Sequence, residues 1–169
     1  MHHINAIIVC ILFACMACTP TEQPVDTEKE TAAIKAVIAK ETESYYKQDF
    51  AAWQSTYMDS PQFRKYGFWE GHPEKVISLN GFAALRDEKK KQFESNATLW
   101  QGSTETRANE NIRVSRDMAW YTFEQNSYEK GSNKLLGRSL ETRILEKVGG
   151  EWKIAYLSYF YYPDTTSTK

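Results

Sequence analysis

Residues 138–162 read RSLETRILEKVGGEWKIAYLSYFYY, a pattern that predicts two antiparallel strands joined by a tight turn. The Gly149–Gly150 pair supplies the positive φ values that a two-residue hairpin turn needs. Alternation before the turn places Leu140, Thr142 and Ile144 on one face. Strict alternation after the turn predicts a shared face for Trp152, Ile154, Tyr156, Ser158 and Phe160.

The composition is that of an ordinary globular protein. The chain has 169 residues, a net charge of −1 and 25% charged residues, which favours one domain. A chain of this size buries about 70% of its unfolded surface, enough for a single core. Nucleic-acid-binding proteins carry a concentrated positive charge, so the near-neutral balance argues against that function. Aromatic residues make up 14% of the chain, and they suit a core, a pocket wall or an interface.

All three cysteines lie close to the N-terminus. Cys10, Cys15 and Cys18 fall in or beside an apolar segment, so we expect neither a disulfide nor thiol chemistry in the folded part. Apolar surroundings are a poor setting for a metal site. We therefore predict no bound metal and no cofactor.

The N-terminus has the pattern of an export signal. Residues 6–17 are apolar but too few to span a bilayer, which needs about 20 residues, and they match the hydrophobic region of a secretory signal peptide. Within them, Ile11–Cys15 resembles a bacterial lipobox, with an apolar and a small residue where that signal needs them. The resemblance implies cleavage before Cys15 and acylation of its thiol. Cys18 is the rival site, and an unlipidated signal or a short anchor are the alternatives.

These patterns divide the chain into four parts. We predict a signal peptide over 1–14, and a lipidated cysteine with a flexible, proline-containing tether over 15–27. The folded domain spans 28–162, and residues 163–169 form a polar tail. The expected location is the cell envelope, with the membrane contacted only through the lipid anchor.

A long helix is predicted to open the folded domain. Asp26 or Thr27 can cap its start, and the helical pattern continues to about Lys47. A single stripe at helical spacing contains Ile34, Val37, Ile38, Glu41 and Tyr45. Glu41 is the one carboxylate in this stripe. It either reaches the rim or accepts from a buried Tyr or Trp donor, or it is an acid inside a pocket whose pKa is raised by desolvation.

A second, shorter helix and an aromatic strand follow. Phe50, Trp53 and Tyr57 share one face of that helix, and Phe63–Trp69 has strand character. His72 precedes a proline and is predicted to lie in extended or turn backbone.

A third helix and a long β region complete the chain. The helix is predicted from Phe82 to about Ser95 with Asn80 as its cap, and its charged run, Arg86–Lys91, is interpreted as a solvated face. Strands are predicted over 98–107, 111–114 and 118–128, ahead of the hairpin described first.

Helices followed by an antiparallel meander give an α+β order, and three stretches add a resemblance. Lys47–Trp53, Asn111–Trp120 and the hairpin segments Glu141–Lys147 and Gly150–Ala155 resemble the NTF2-like superfamily, in its SnoaL-like and DUF4440-like branch. The similarity covers roughly Glu28–Tyr162. It implies an NTF2-like (cystatin-like) cone, with N-terminal helices packed on a strongly curved, mixed or antiparallel sheet.

The resemblance also implies a range of functions. Members include ketosteroid isomerase, scytalone dehydratase, limonene epoxide hydrolase and polyketide cyclases, together with many domains that are not enzymes. They enclose a cavity that is open at one end, and the outer sheet face often mediates dimerisation. A homodimer is therefore expected.

The catalytic positions of these families can be compared residue by residue. Lys65 stands at or near the general-base aspartate of ketosteroid isomerase, and Glu41 stands near its oxyanion-hole tyrosine. Dehydratases and cyclases rely on His or Asp in the cavity, whereas the only histidine of this domain is His72. Many DUF4440-like chains carry His after the closing Trp-Lys-Ile, where this sequence has Tyr156 and Ser158. The resemblance thus implies no matched catalytic set.

Three functions remain open. The first is binding of a small, partly apolar ligand in the cone, unless aromatic side chains fill it as core. The candidate wall residues are Glu41, Tyr45, Trp53, Tyr57, Trp69, Trp120 and Tyr156. The second is a small isomerase, dehydratase or hydrolase that uses Glu41 with a tyrosine donor. The third is a dimeric interaction module that exposes Tyr159, Tyr161 and Tyr162.

Overall fold

The computed structural model describes residues 25–69, 72–95 and 103–162. The predicted signal peptide, Cys15, most of the tether, the polar tail and the first residues of the strand predicted over 98–107 lie outside the described residues. The side chains of Trp69 and His72 lie outside them as well. In order, the elements are α1 (Thr27–Tyr46), α2 (Phe50–Gln54), β1 (Arg64–Trp69), β2 (His72–Asn80), α3 (Phe82–Glu94), β3 (Ser103–Ser115), β4 (Met118–Glu129), β5 (Leu135–Val148) and β6 (Glu151–Tyr161).

The first helix has the bounds that the sequence predicts. The Asp26 carboxylate accepts a hydrogen bond from the Lys29 backbone N–H at 3.1 Å, which satisfies one of the free donors of the first turn. Helix α1 then runs to Tyr46, and Ile34 and Ile38 are fully buried on its apolar stripe. The stripe therefore packs inward, as its spacing indicates.

The second helix is shorter than predicted. Asp49 caps α2 by accepting from Ala52 at 2.9 Å, but the helix ends at Gln54, before Tyr57. The next residues pair with β6 instead, because Ile154 donates to the Thr56 carbonyl at 2.8 Å and its own carbonyl accepts from Met58. Sheet pairing with a distant strand thus ends the helical pattern.

One mixed sheet of six strands carries the domain. Its order is β2-β1-β6-β5-β4-β3, and β1 runs parallel to β6 while every other neighbour is antiparallel. Strand β2 is absent from the sequence prediction, and it includes Asn80, the predicted helix cap. Gly81 takes the cap position of α3 at a φ of 82°, without a side-chain bond. The described part of the first predicted segment, residues 103–107, and the predicted segment 111–114 belong to one strand, β3, which is irregular between Ala108 and Asn111.

A β-bulge in β6 corrects the predicted face of the closing hairpin. Ile144 pairs with Tyr156 but Leu145 pairs with Ile154, so Ala155 is an extra residue without a partner. Alternation therefore restarts at the bulge. Trp152 and Ile154 face inward before it, and the inward residues after it are Leu157, Tyr159 and Tyr161. Tyr156, Ser158 and Phe160 lie on the outer face, opposite Ile144, Thr142 and Leu140.

The core lies between the helices and the inner face of the sheet. Helix α1 contacts β3 and β6, and α3 contacts β2. The largest fully buried side chains are Trp53, Tyr121, Phe63, Phe82, Phe123, Ile34, Ile38, Leu85, Leu145 and Ile154. None of the helices within residues 25–69, 72–95 and 103–162 is long and apolar enough to cross a membrane.

Gly67 of β1 is a point of close approach between strands. Gly67 pairs with Tyr159 of β6, and a Cβ atom at this position would lie 2.7 Å from the Tyr159 carbonyl oxygen and 3.0 Å from its ring. Only glycine leaves room for the tyrosine in this position.

Candidate functional site

The aromatic residues do not fill the space between the helices and the inner sheet face. A cavity of about 1000 Å³ remains there, a size typical of small-molecule sites. Its aromatic and aliphatic wall consists of Tyr45, Tyr46, Trp53, Tyr57, Val76, Ile77, Leu79, Leu85, Leu157, Tyr159 and Tyr161. Its charged lining consists of Glu41, Lys65, Glu88, Lys89, Lys91, Glu105, Arg138, Glu141 and Arg143.

A buried polar cluster joins α1 to β5 at this cavity. We call Glu41, Tyr57, Ser139, Glu141 and Arg143 the arginine cluster. Arg143 Nη1 donates to Glu141 Oε2 at 2.8 Å, and Arg143 Nη2 lies 3.7 Å from Glu41 Oε2. Ser139 Oγ donates to the second oxygen of Glu141 at 2.6 Å, and the Tyr57 hydroxyl donates to Glu41. Each carboxylate therefore has a cationic and a hydroxyl partner.

The arginine cluster sets the protonation of its members. Burial opposes the charge of Arg143, but the carboxylates of Glu41 and Glu141 outweigh burial and raise its pKa above the ordinary value. Burial, reinforced by the charge of Glu41, raises the pKa of Tyr57 well above its ordinary value. Arg143 is thus a cation at neutral pH, and Tyr57 is a neutral phenol.

Two lysines enter the cavity from the other side. Lys65 of β1 is only 5% exposed and donates to Glu88 Oε1 at 3.1 Å. Lys89 of α3 donates to Gln92 Oε1 at 2.7 Å, and its ammonium lies 4.8 Å from the ring centre of Tyr45. Burial lowers the pKa of Lys89 to about 8, and the positive charge of Lys65 acts in the same direction.

A third polar group links α1 to β3 and β4. The Tyr46 hydroxyl donates to Glu105, and Ser127 Oγ donates to the same carboxylate at 3.2 Å. Arg107 Nη2 donates to Thr42 Oγ1 at 2.7 Å. Burial raises the pKa of Glu105 despite these donors. In the described part of the chain, no group of three or more His, Cys, Asp or Glu side chains could hold a metal ion.

The structure brings four of the seven sequence-predicted wall residues together. Glu41, Tyr45, Trp53 and Tyr57 line the cavity. Of the other three, Trp120 and Tyr156 lie outside the cavity, and the side chain of Trp69 is outside the described part.

Trp120 and Tyr156 lie on the outer sheet face and do not line the cavity. Trp120 is 48% exposed because its neighbours Ala119 and Tyr121 occupy the inward positions of β4. Tyr156 points outward because of the bulge at Ala155, and its ring packs against that of Tyr66. Trp69 ends β1, and its side chain is outside the described part.

Apart from Glu41, the sequence pattern did not single out the charged side chains of the cavity. The run Arg86–Lys91, interpreted as a solvated face, places Glu88 and Lys89 against the cavity. Tyr159 and Tyr161, predicted to be exposed, also line it. One signal was available, because β5 alternates polar Ser139, Glu141 and Arg143 with Leu140, Thr142 and Ile144, and the polar set faces inward.

Comparison with solved structures identifies the fold. A cystatin-like protein of unknown function from Nostoc punctiforme superposes with a TM-score of 0.65 and 17% identity, covering 82% of this chain and 95% of that one. An NTF2-like protein of unknown function from Pseudomonas putida gives 0.63 and 13%, covering 85% and 94%. A protein from Shewanella frigidimarina, provisionally assigned as a ketosteroid isomerase, gives 0.56 and 15%, covering 75% and 94%.

These similarities establish an α+β, NTF2-like (cystatin-like) fold, as the sequence predicts. At such low identities they carry information on the fold and not on activity. The sequence matches no protein-family model, and no curated protein matches it significantly.

Replacement of Arg143 tests the role of the arginine cluster. Arg143→Met should lower the free energy of unfolding at neutral pH by about 3–5 kcal/mol, because Glu41 and Glu141 would be left buried without their cation. Denaturant unfolding of wild type and variant at neutral pH measures this loss.

The matched control is Arg113→Met on the exposed side of β3. It should change the free energy of unfolding by no more than about 0.5 kcal/mol. Equal losses in the two variants would contradict a charge-balancing role for Arg143.

Proposed function

We propose that this chain binds a small, partly apolar molecule in its cavity and works at the cell envelope. The observation that carries the proposal is the open volume between α1, α3 and the inner sheet face. A cavity with an aromatic wall and a few fixed polar groups is the usual form of a small-molecule site. The apolar wall would hold the body of the ligand, and the polar groups would orient it.

An unsatisfied donor in the arginine cluster gives further support. Arg143 Nε is buried and has no hydrogen-bond partner among the described residues. A buried donor without a partner is costly, and such groups call for an explanation. A water molecule or an acceptor on a ligand would satisfy it.

The alternative of a small enzyme relies on Glu41 and a tyrosine donor. Glu41 does line the cavity, and the Tyr57 hydroxyl donates to it. However, Arg143 also lies beside Glu41, so both members of the predicted acid–base pair already have partners. A general base needs to reach the proton that it removes. This arrangement favours binding over proton transfer.

Binding of Nile red, a neutral fluorescent dye, tests the cavity. Leu79→Trp should weaken the binding by about tenfold, because Leu79 lines the cavity and the larger indole occupies ligand space. Leu135→Trp is the matched control, since Leu135 is 50% exposed and lies away from the cavity. A dye titration followed by fluorescence measures both. Equal affinity in the two variants, or no binding to wild type, would refute the proposal.

The envelope location rests on the lipobox-like Ile11–Cys15. We expect a clickable palmitate analogue to label the wild type and Cys18→Ser in a bacterial host, and the label to disappear in Cys15→Ser, because the residues before Cys15 fit the lipobox pattern better than those before Cys18. In-gel fluorescence of the full-length chain measures the labelling. Loss of label in Cys18→Ser alone would move the lipid to the rival site, and no label in wild type would reject the anchor.

The outer sheet face supports the proposal of a homodimer. Apolar side chains there include Met118, Trp120, Leu140 and Phe160, which are 53%, 48%, 45% and 41% exposed. Large apolar side chains exposed on one face are a feature of interaction sites. A second copy of the chain presents the same surface and could cover it in a two-fold arrangement.

Trp120→Glu should shift a dimer to monomers, because a charge within an apolar interface is desolvated without a partner. Light scattering after size exclusion measures the mass. Val25→Glu serves as the control, since Val25 is 41% exposed and precedes α1, outside the six strands. A wild type that is monomeric at high concentration would end the dimer proposal.

A further inference from the structure

Lys89 differs from Lys65 and Arg143, the other basic side chains of the cavity that are not exposed, because it has no ionic partner among the described residues. Lys65 pairs with Glu88, and Arg143 pairs with Glu141 and lies near Glu41. Among the described residues, no carboxylate oxygen lies within 4.0 Å of the Lys89 ammonium. Its neighbours are the neutral amide of Gln92 and the ring of Tyr45.

An unpaired ammonium in this position is costly. Lys89 is half-buried, and a partly desolvated charge is normally stabilised by an opposite charge. The ring of Tyr45 offsets only part of the cost, since a cation–π contact contributes about 0.5–2 kcal/mol. Lys65 adds repulsion, and among the neighbouring charges it acts on Lys89 more strongly than Glu88 or Glu41. The site thus lacks one negative charge near the two lysines.

Both lysines have donors left for an additional acceptor. An ammonium group carries three N–H donors. Lys65 gives one to Glu88 at 3.1 Å, and Lys89 gives one to Gln92 at 2.7 Å. Glu88 does not neutralise both lysines, because it has a single charge and its side chain is 44% exposed.

The remaining charges of the cavity would orient an anion. Glu41, Glu141 and Arg143 together carry a net charge of −1, so this cluster repels an anionic group. Lys65 and Lys89 attract it. Trp53, Leu157 and Tyr57 line the apolar wall that the rest of the ligand could contact.

We propose that the ligand is an organic anion whose carboxylate binds between Lys65 and Lys89 while its apolar body packs against the cavity wall. This inference rests on the proposed binding function and specifies the chemical class of the ligand. The carboxylate supplies the missing negative charge, and each lysine contributes a charge-assisted hydrogen bond.

Octanoate and octanamide test the inference, because they have the same number of heavy atoms and differ in charge. We expect the full-length protein to bind octanoate at least about tenfold more tightly than octanamide at neutral pH. In Lys89→Met this preference should disappear while the affinity for octanamide is retained. Isothermal titration calorimetry measures both affinities.

Lys90→Met is the matched control. It removes the same charge from the same helix, but Lys90 is exposed and its nearest acidic group is Glu94, at 4.0 Å. It should keep the full preference for octanoate. A wild type that does not distinguish the two compounds, or a Lys89→Met variant that still does, would overturn the inference.

A pH titration of the wild type tests the same point without a substitution. The groups that act on Lys89 are Lys65 on β1, Glu88 on α3, Glu41 and Tyr45 on α1, and through Lys65 the ring of Tyr159 on β6. Because the pKa of Lys89 is about 8 without ligand, the preference for octanoate should fall as the pH rises toward 10. Octanamide affinity should not follow this change. A preference that is constant over this range would count against Lys89 as the anion-binding group.

The two proposals fail in different ways. If Nile red and octanamide bind but octanoate is not preferred, only the anionic class of the ligand is wrong. If neither Nile red nor either octanoyl compound binds, the cavity is not a binding site and both proposals fall.

Discussion

The structure depends on the balance of charge around Arg143. This guanidinium sits on the inward face of β5, where a small α+β domain would ordinarily place an apolar side chain, and it holds Glu141 at 2.8 Å and Glu41 at 3.7 Å. The contact with Glu41 connects the sheet to α1 across the edge of the cavity. A buried ion pair seldom stabilises a protein more than an apolar replacement would. Its presence here is better explained by the cavity, which needs walls that hold their position without filling the space.

The charges are balanced differently around the two lysines of the cavity. Lys65 has its carboxylate partner and Lys89 has none within the described residues. Natural proteins concentrate such departures from good local design at the places where they bind or react. The two carboxylates of the arginine cluster have their cation within the chain, whereas the charge of Lys89 would be balanced by the proposed anionic ligand. We propose that this difference separates a supporting structure from a recognition site.

The sequence predicted the fold class, the first helix and the closing hairpin, because these follow from local spacing. Helix α1 has a capping aspartate and an apolar stripe, and the Gly149–Gly150 turn determines how β5 and β6 meet. The sequence did not predict which face of those strands is inward, since alternation with a period of two fits either face. Once the inward face is known, a single bulge at Ala155 still reverses the rest of β6. Tyr156 was therefore placed in the cavity, and the inward Tyr159 was placed outside.

The inward position of charged residues was the other feature that the sequence did not predict. Arg143 and Lys89 occur among residues that ordinarily face water, and their inward position arises from partners far away in the chain, Glu41 and Tyr45. Composition and periodicity give no information on such long-range pairing. Conversely, Glu41 was recognised as a candidate because a lone carboxylate in an apolar stripe is unusual in a local window.

Gly67 has a consequence for how this cavity could change over evolutionary time. The residue itself does not line the cavity, but its missing side chain allows Tyr159, which does, to lie where it does. Any larger residue at position 67 would displace the tyrosine, and with it one wall of the cavity. The dimensions of the cavity thus depend partly on a residue that does not line it, so two descendants with identical lining residues could have cavities of different size.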